Sequence, residues 1–293
     1  MSLVINHNLM AMGAARHLSA TYGRLSQSVA RLASGLRINS AADDAAGLAI
    51  REMMRTDIRV LQQGVRNAND AISLIQTADG ALSVIDEKLT RMKELAEQAA
   101  TGTYTDVQRL IMDSEYQAMA SEISRIANAT DFNGVKLLDG SLSGTGLAGG
   151  PGQQLKIHFG TGNSSAEDYY YIRINAATAS AFGLGNNARV GPGYTISTQS
   201  AAQAALEAID LAVTSKDTIR AALGAVANRL ANTITNLTIQ AENLQAAESR
   251  ISDVNVATEM TEFVRNQILT QAAVAMLAQA NALPQLALQL IRG

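Results

Sequence analysis

Apolar side chains recur at alternating spacings of three and four along most of this chain. Leu18, Tyr22, Leu25, Val29, Leu32 and Leu36 form nearly three heptads of a coiled-coil seam. After a break come Leu61, Val65, Ala68, Ile72, Ile75, Ala78, Leu82, Ile85, Leu89, Met92, Ala96 and Ala99, with one irregular step around Ala78. A third run holds Met112, Tyr116, Met119, Ile123 and Ile126. A fourth keeps a heptad position through Ile219, Leu223, Val226, Leu230, Leu237 and Leu244, with Thr233 and Gln240 as polar interruptions. Between these helical stretches the period falls to two. Leu155, Ile157 and Phe159, then Tyr170, Ile172 and Ile174, alternate with polar residues and predict a β-hairpin.

Capping signals bound the elements. Gly35 followed by Ser40-Ala-Ala-Asp43, a capping box with Asp in place of Glu, predicts a break and restart near 35–43. Thr101-Gly-Thr-Tyr104 ends the second run, Thr105-x-x-Gln108 starts a third helix, and Ser200-x-x-Gln203 opens the C-terminal arm. Asn133-Gly134 marks a turn, as does Gly191-Pro192-Gly193.

Composition sharpens this division. Twelve of the 22 glycines, six aromatic residues and two of the three prolines fall within residues 140–199, so two helical arms flank a turn-rich insert. Tryptophan is missing while 47% of residues are hydrophobic, which favours helix packing over a thick compact core. A helix over residues 201–251 would be about 75 Å long, against a radius of gyration near 19 Å for a compact chain of this size, roughly. The expected fold is mainly α: a long antiparallel helical rod, a coiled-coil-like bundle of N- and C-terminal arms, with a small β-hairpin-rich insert.

The two ends carry the functional information. Residues 266–293 hold one charge, Arg292, and interleave apolar side chains with Gln and Asn. Residues 1–42 contain Arg16, Arg24, Arg31 and Arg37 and no acidic residue. A helix pair offers each member one contact stripe, so two such helices cannot bury all their apolar surface against each other. The remainder points to association with other chains, and a contact that does not close yields a filament.

Little else carries chemistry. Cysteine is absent, and His7, His17 and His158 are scattered, which argues against thiolate sites and histidine–metal sites. A formal charge of -3 argues against nucleic acid as a partner. No run of 18 apolar residues predicts membrane insertion, and the first 15 residues lack the features of a cleaved secretory signal. Gly144-x-Gly146-x-x-Gly149 matches a nucleotide-loop pattern but runs into Gly150-Pro151 instead of a helix, so it reads as a loop. Asp43-Asp44 reads as helix N-terminal acids complementing the dipole rather than an acid/base pair. Tyr169, Tyr170 and Tyr171 have no basic surround beyond Arg173 and read as cross-strand packing residues. No enzyme activity and no cofactor are expected.

Several long stretches resemble bacterial flagellin. They are RLASGLRINSAADDAAGLAI at 31–50, NANDAISLIQTADGAL at 67–82, RMKELAEQAATGT at 91–103, TDFNGVKLLDG at 130–140 and NQILTQAAVAMLAQAN at 266–281. The resemblance implies a subunit of the swimming filament, secreted through the flagellar type III apparatus and polymerising into a helical homopolymer. It divides the chain into inner-core terminal helices (1–42 and 256–293), an outer-core helical domain (43–139 and 200–255) and a solvent-facing insert (140–199). The implied partners are other copies of the chain, an export chaperone, and the hook-associated and cap proteins. It also implies two host receptors. A flagellin-sensing Toll-like receptor would read Arg91, Leu95 and Glu115, and a NAIP-class sensor would read Leu288, Leu290 and Ile291. A hook–filament junction protein, a flagellin-borne metallopeptidase and a membrane-active amphipathic protein are the alternatives; the insert contains no HExxH sequence.

Overall fold

The computed structural model describes residues 7–144, 154–165, 167–185 and 193–292, with the side chains of 283–292 outside that description. The elements follow the order α1 (Leu9–Ser34), α2 (Ala45–Ala100), α3 (Asp106–Ala129), β1 (Asp131–Phe132), β2 (Val135–Lys136), β3 (Leu155–His158), β4 (Tyr169–Ile172), α4 (Gln199–Ser252) and α5 (Val256–Arg292). They fall into two compact units. One comprises residues 1–58 and 242–293, the other residues 59–241, and both boundaries lie inside α2 and α4.

In the second unit α2, α3 and α4 surround an apolar core that includes Leu82, Ile85, Leu89, Met92, Tyr116, Ile123 and Leu230, all fully buried. Three ion pairs set α2 antiparallel to α4. Arg220 Nε meets Asp79 Oδ1 at 2.7 Å, Lys216 meets Asp86, and Lys93 Nζ meets Asp210 Oδ1 at 2.5 Å. The acceptor and donor positions on α2, residues 79, 86 and 93, are one heptad apart, so they share one helix face. Burial pulls the Lys216 ammonium down, but hydrogen bonds to Asp217 and Asp86 outweigh it and leave the group above its ordinary pKa.

Helix α3 starts as the sequence predicts. Thr105 Oγ1 accepts from the Gln108 backbone amide and the Gln108 side chain accepts from Thr105 N at 2.9 Å, a complete capping box. The other two boxes are displaced. Ser40 and Asp43 close a turn before α2, where Asp43 Oδ2 accepts from Ser40 N at 3.0 Å, while Asp44 Oδ1 caps the helix itself by accepting from Gly47 N at 2.9 Å. At α4 the acceptor is Thr198 Oγ1, bonded to Ala201 N at 3.2 Å, instead of Ser200. In each case a short polar side chain lies closer to the true boundary, and the first free amides select it by reach.

The β-elements are two hairpins. β1 and β2 pair across Asn133-Gly134, and β3 pairs with β4 in the register Leu155–Ile172 and Ile157–Tyr170. The described part of the insert packs one side against the helices. Phe159, Ile172, Ile174, Phe182, Leu184 and Ile196 are buried in the second unit. The alternation in both strands gives the hairpin one apolar face, and apolar area removed from water on the flank of the helices stabilises that placement. Close approach at one point depends on glycine: a Cβ on Gly64 of α2 would lie 2.0 Å from the Phe159 carbonyl oxygen. Asn67 Nδ2 adds a hydrogen bond to His158 O at 2.8 Å, and Arg229 stacks on the Tyr170 ring at 4.1 Å.

Candidate assembly surfaces

In the first unit α1 packs against α5. The pair is antiparallel: Asn8 Nδ2 donates to Ala280 O at 2.7 Å near one end, and Arg31 lies 3.8 Å from Glu259 near the other. The shielded face of α1 runs Ala11, Ala14, Leu18, Thr21, Leu25, Ser28 and Leu32. On α5 the shielded face runs Phe263, Asn266, Thr270, Ala273, Leu277 and Ala280. Both repeat at three and four, as a helix pair requires.

This seam uses part of the expected one. Leu18, Leu25, Leu32 and Leu36 are at least partly shielded, but Tyr22 is 64% exposed and Val29 47%. Their places are taken by Thr21 and Ser28. One residue is a rotation of about 100° on a helix, so choosing the 21/28 side turns 22 and 29 outward. Apolar periodicity could not find a seam built on Thr and Ser, because hydroxyl residues register as polar. The same is true of Asn266, which is buried within α5.

What the seam leaves outside is largely apolar. Leu9, Met10, Met12, Tyr22 and Val29 stand exposed on α1, and Val256, Met260, Val264, Ile268, Leu269, Val274 and Met276 on α5. A shallow apolar depression of about 440 Å³ is lined by Ala15, Leu18, Ser19, Tyr22, Thr270 and Val274. Exposed apolar area of this extent on a single chain marks an association surface.

The segments joining these helices are clasped together. Leu36 and Asp253 form an antiparallel bridge, Val254 N donates to Gly35 O at 3.0 Å, and Arg37 N donates to Ser252 O at 2.7 Å. Gly35 makes the exit from α1 in a left-handed conformation at φ 71, which favours glycine. Asp43 lies in the turn that follows, before α2. Hydrogen bonds from the Gln27 side chain and from the Ser40 and Asn39 amides hold its carboxyl below the ordinary range.

The second unit carries a smaller exposed patch. Val107, Leu110 and Ile111 project from the first turns of α3. Nearby, Arg91 of α2 bridges to Glu115 of α3 at 2.9 Å and to Glu94 at 3.0 Å. Hydrogen bonds that Arg91 donates to Glu94 and then to Glu115 raise its guanidinium above the ordinary pKa. The structure therefore brings Arg91 and Glu115 together on the surface. Leu95, on the same helix, is 2% exposed and belongs to the core. It follows Met92 by three positions and precedes Ala99 by four, on the stripe that α2 buries. Leu288, Leu290 and Ile291 fall within the helical span of α5, but their side chains lie outside the described residues.

Among the described residues no group of three His, Asp or Glu side chains is placed to hold a metal ion. No helix among them is long and apolar enough to cross a membrane.

Comparison with known proteins agrees with the helical arms and their order. Residues 5–143 match the bacterial flagellin N-terminal helical region, and residues 206–291 match the bacterial flagellin C-terminal helical region. The chain is 44% identical over 291 residues to a flagellin of Halalkalibacterium halodurans, covering 99% of this chain and 100% of that protein. It is 43% identical over 309 residues to a flagellin of Bacillus subtilis, covering 98% and 99%. A flagellar filament core protein of Brachyspira hyodysenteriae is 41% identical over 290 residues, covering 99% and 100%. Two matched helical regions on either side of the insert, with relatives similar from end to end, leave one conclusion: the chain belongs to the bacterial flagellins.

Proposed function

We propose that this chain enters its polymer by laying the outer faces of α1 and α5 against neighbouring copies. As a flagellin it is a structural subunit of the flagellar filament at the cell surface, in a family of structural proteins and not of enzymes. The observation that carries the proposal is the row of large apolar side chains outside the α1–α5 seam, from Leu9 to Val29 and from Val256 to Met276. Helices whose apolar partners lie mostly on other chains gain too little alone to offset the entropy of ordering, which couples their folding to assembly.

Purified chains heated to monomers and cooled with filament seeds should regenerate long fibres. Persistent monodispersity across a range of salt would overturn the proposal. Export through the flagellar type III apparatus, an export chaperone on the C-terminal segment, and contact with hook-associated and cap proteins are further proposals. They are supported by the family relationship.

Host sensing belongs here too. Recognition by a flagellin-sensing Toll-like receptor through Arg91, Leu95 and Glu115 is supported by the family relationship and by the exposed Arg91–Glu115 pair, with Leu95 packed on the same helix. A receptor-reporter assay comparing Arg91→Ala and Glu115→Ala with the parent chain tests it, and unchanged signalling would remove the pair from the contact. The C-terminal leucine-rich end, Leu288, Leu290 and Ile291, supports reading by a NAIP-class sensor, and substituting all three with alanine tests that assignment.

A further inference from the structure

The Asn133-Gly134 turn serves the fold as the link between β1 and β2, yet it also holds a chemically reactive pair in the open. Both residues are exposed. Asn133 has φ 51 and Gly134 φ 81; Asn133 is the only non-glycine residue with positive φ among the described residues. Two consecutive left-handed residues make the two-residue hairpin turn that Asn-Gly favours. Gly134 carries no side chain to hinder attack by its own amide nitrogen on the preceding carboxamide. No protein hydrogen bond holds the Asn133 side chain among the described residues.

We propose that Asn133-Gly134 is a spontaneous modification site, an asparagine poised for deamidation, and that Asp131 governs its rate. The chemistry requires only water. The Gly134 backbone nitrogen, having lost its proton to solvent base, attacks the Asn133 side-chain carbon. A carbon–nitrogen bond forms, the bond from that carbon to Nδ2 breaks, and ammonia leaves with a proton from water. The resulting cyclic imide is opened by water at either carbonyl, giving aspartate or its β-linked isomer. No electron changes hands and no cofactor enters.

Asp131 stands in the way of the first step. Its Oδ2 accepts the Gly134 amide proton at 3.1 Å, so the proton that must leave is held by a carboxylate. The nitrogen anion formed by its loss would also face a negative charge within hydrogen-bond distance, which raises the cost of making it. Lys136 lies 3.8 Å from Asp131 Oδ1, on the other oxygen, and relieves that charge only in part. The same hydrogen bond pins the turn, which restricts the rotation Asn133 needs to bring its carboxamide over the glycine nitrogen.

The consequence reaches the core. Leu137 and Leu138 directly follow β2 and are fully buried, and Leu137 N donates to Thr130 O at 3.3 Å. Deamidation adds a carboxylate two residues from Asp131, and the β-linked product lengthens the backbone within a two-residue turn. Both changes oppose the pairing Asp131–Lys136 and Phe132–Val135. An aged chain therefore loosens where this hairpin anchors the second unit.

The test uses the full-length chain as a monomer, incubated at mildly alkaline pH. Peptide mapping by mass spectrometry reads the amide-to-acid mass increase, and chromatography separates the two isomers. Conversion should appear at Asn133 ahead of the exposed Asn69 and Asn163, and several-fold faster in Asp131→Ala. Asp131→Ser retains a short acceptor without the charge; a rate near that of Asp131→Ala shows that charge dominates, and a rate between Asp131→Ala and the parent shows that turn geometry contributes. Thermal melts of each variant at the start establish that the hairpin variants are folded. Conversion at other asparagines while Asn133 stays intact would overturn the site. An unchanged or slower rate in Asp131→Ala would overturn the guarding role.

Discussion

Single positions in this flagellin take their meaning from what approaches them. Glycine inside a helix costs about 0.5–1 kcal/mol relative to alanine, so Gly→Ala in an open stretch of α2 stabilises. Gly80 is such a position, with nothing within 4 Å of its added Cβ, and Gly80→Ala should raise the melting temperature. Gly64 should show the opposite sign, because its Cβ would collide with the Phe159 backbone. Paired thermal melts check both; a stabilised Gly64→Ala would mean that the β3–β4 hairpin does not dock on α2. Leu95 belongs to an enclosed stripe with Met92, Ala96 and Ala99, which the three-and-four spacing of α2 already marks. Asp43 brings a pH dependence. Its folded-state pKa is depressed, so the hydrogen bonds it accepts from Gln27, Ser40 and Asn39 stabilise the turn before α2 above the ordinary carboxylate range and lose that contribution as the pH falls through the folded value. Asp43→Asn should flatten that part of the acid-unfolding curve, and an identical curve would show that these hydrogen bonds do not contribute to stability.

At the scale of elements, charge selects register. The α2–α4 ladder changes sign along its length: Asp79 and Asp86 are acids on α2 while Lys93 is a base, and α4 answers with Arg220, Lys216 and Asp210. A slip of one heptad in one direction would oppose Asp86 to Asp210, and in the other direction Lys93 to Lys216. Apolar heptads alone accept such a slip, since Leu faces Leu either way. Lys216 is the buried member, so removing one of its acids is costlier than removing the whole charge. Asp86→Asn should therefore destabilise by about 1–3 kcal/mol, more than Lys216→Met, with denaturant unfolding as the measurement. Equal losses would show that burial at Lys216 imposes no such asymmetry. The helices themselves were legible because long three-and-four patterns and the Thr105–Gln108 box are local signals. Their starts at Asp44 and Thr198 were not, since several short polar residues in succession all qualify as caps until the amides they reach are known.

For the molecule as a whole, assembly and core stability are separable. The second unit's apolar cluster draws on residues from Ala68 to Leu230 and on none of α1 or α5. Removing residues 1–42 should abolish fibres in electron micrographs while leaving a cooperative, helical unfolding transition by circular dichroism. Loss of that transition would tie core stability to the N-terminal arm. Family membership and the surplus of apolar surface at both ends were determined by the sequence alone, because long stretches resembling flagellin and stripe width are properties of the chain read in order. Which side of α1 meets α5, and whether the insert lies in solvent or on the helices, only the tertiary structure decided. A helix with apolar residues on several faces has several acceptable seams. The packing that let Thr21 and Ser28 inward and left Tyr22 and Val29 outside depends on how closely small residues of two distant segments approach. Likewise, alternation gives β3 and β4 an apolar face but names no partner for it; Gly64 supplied the space on α2 that buried it.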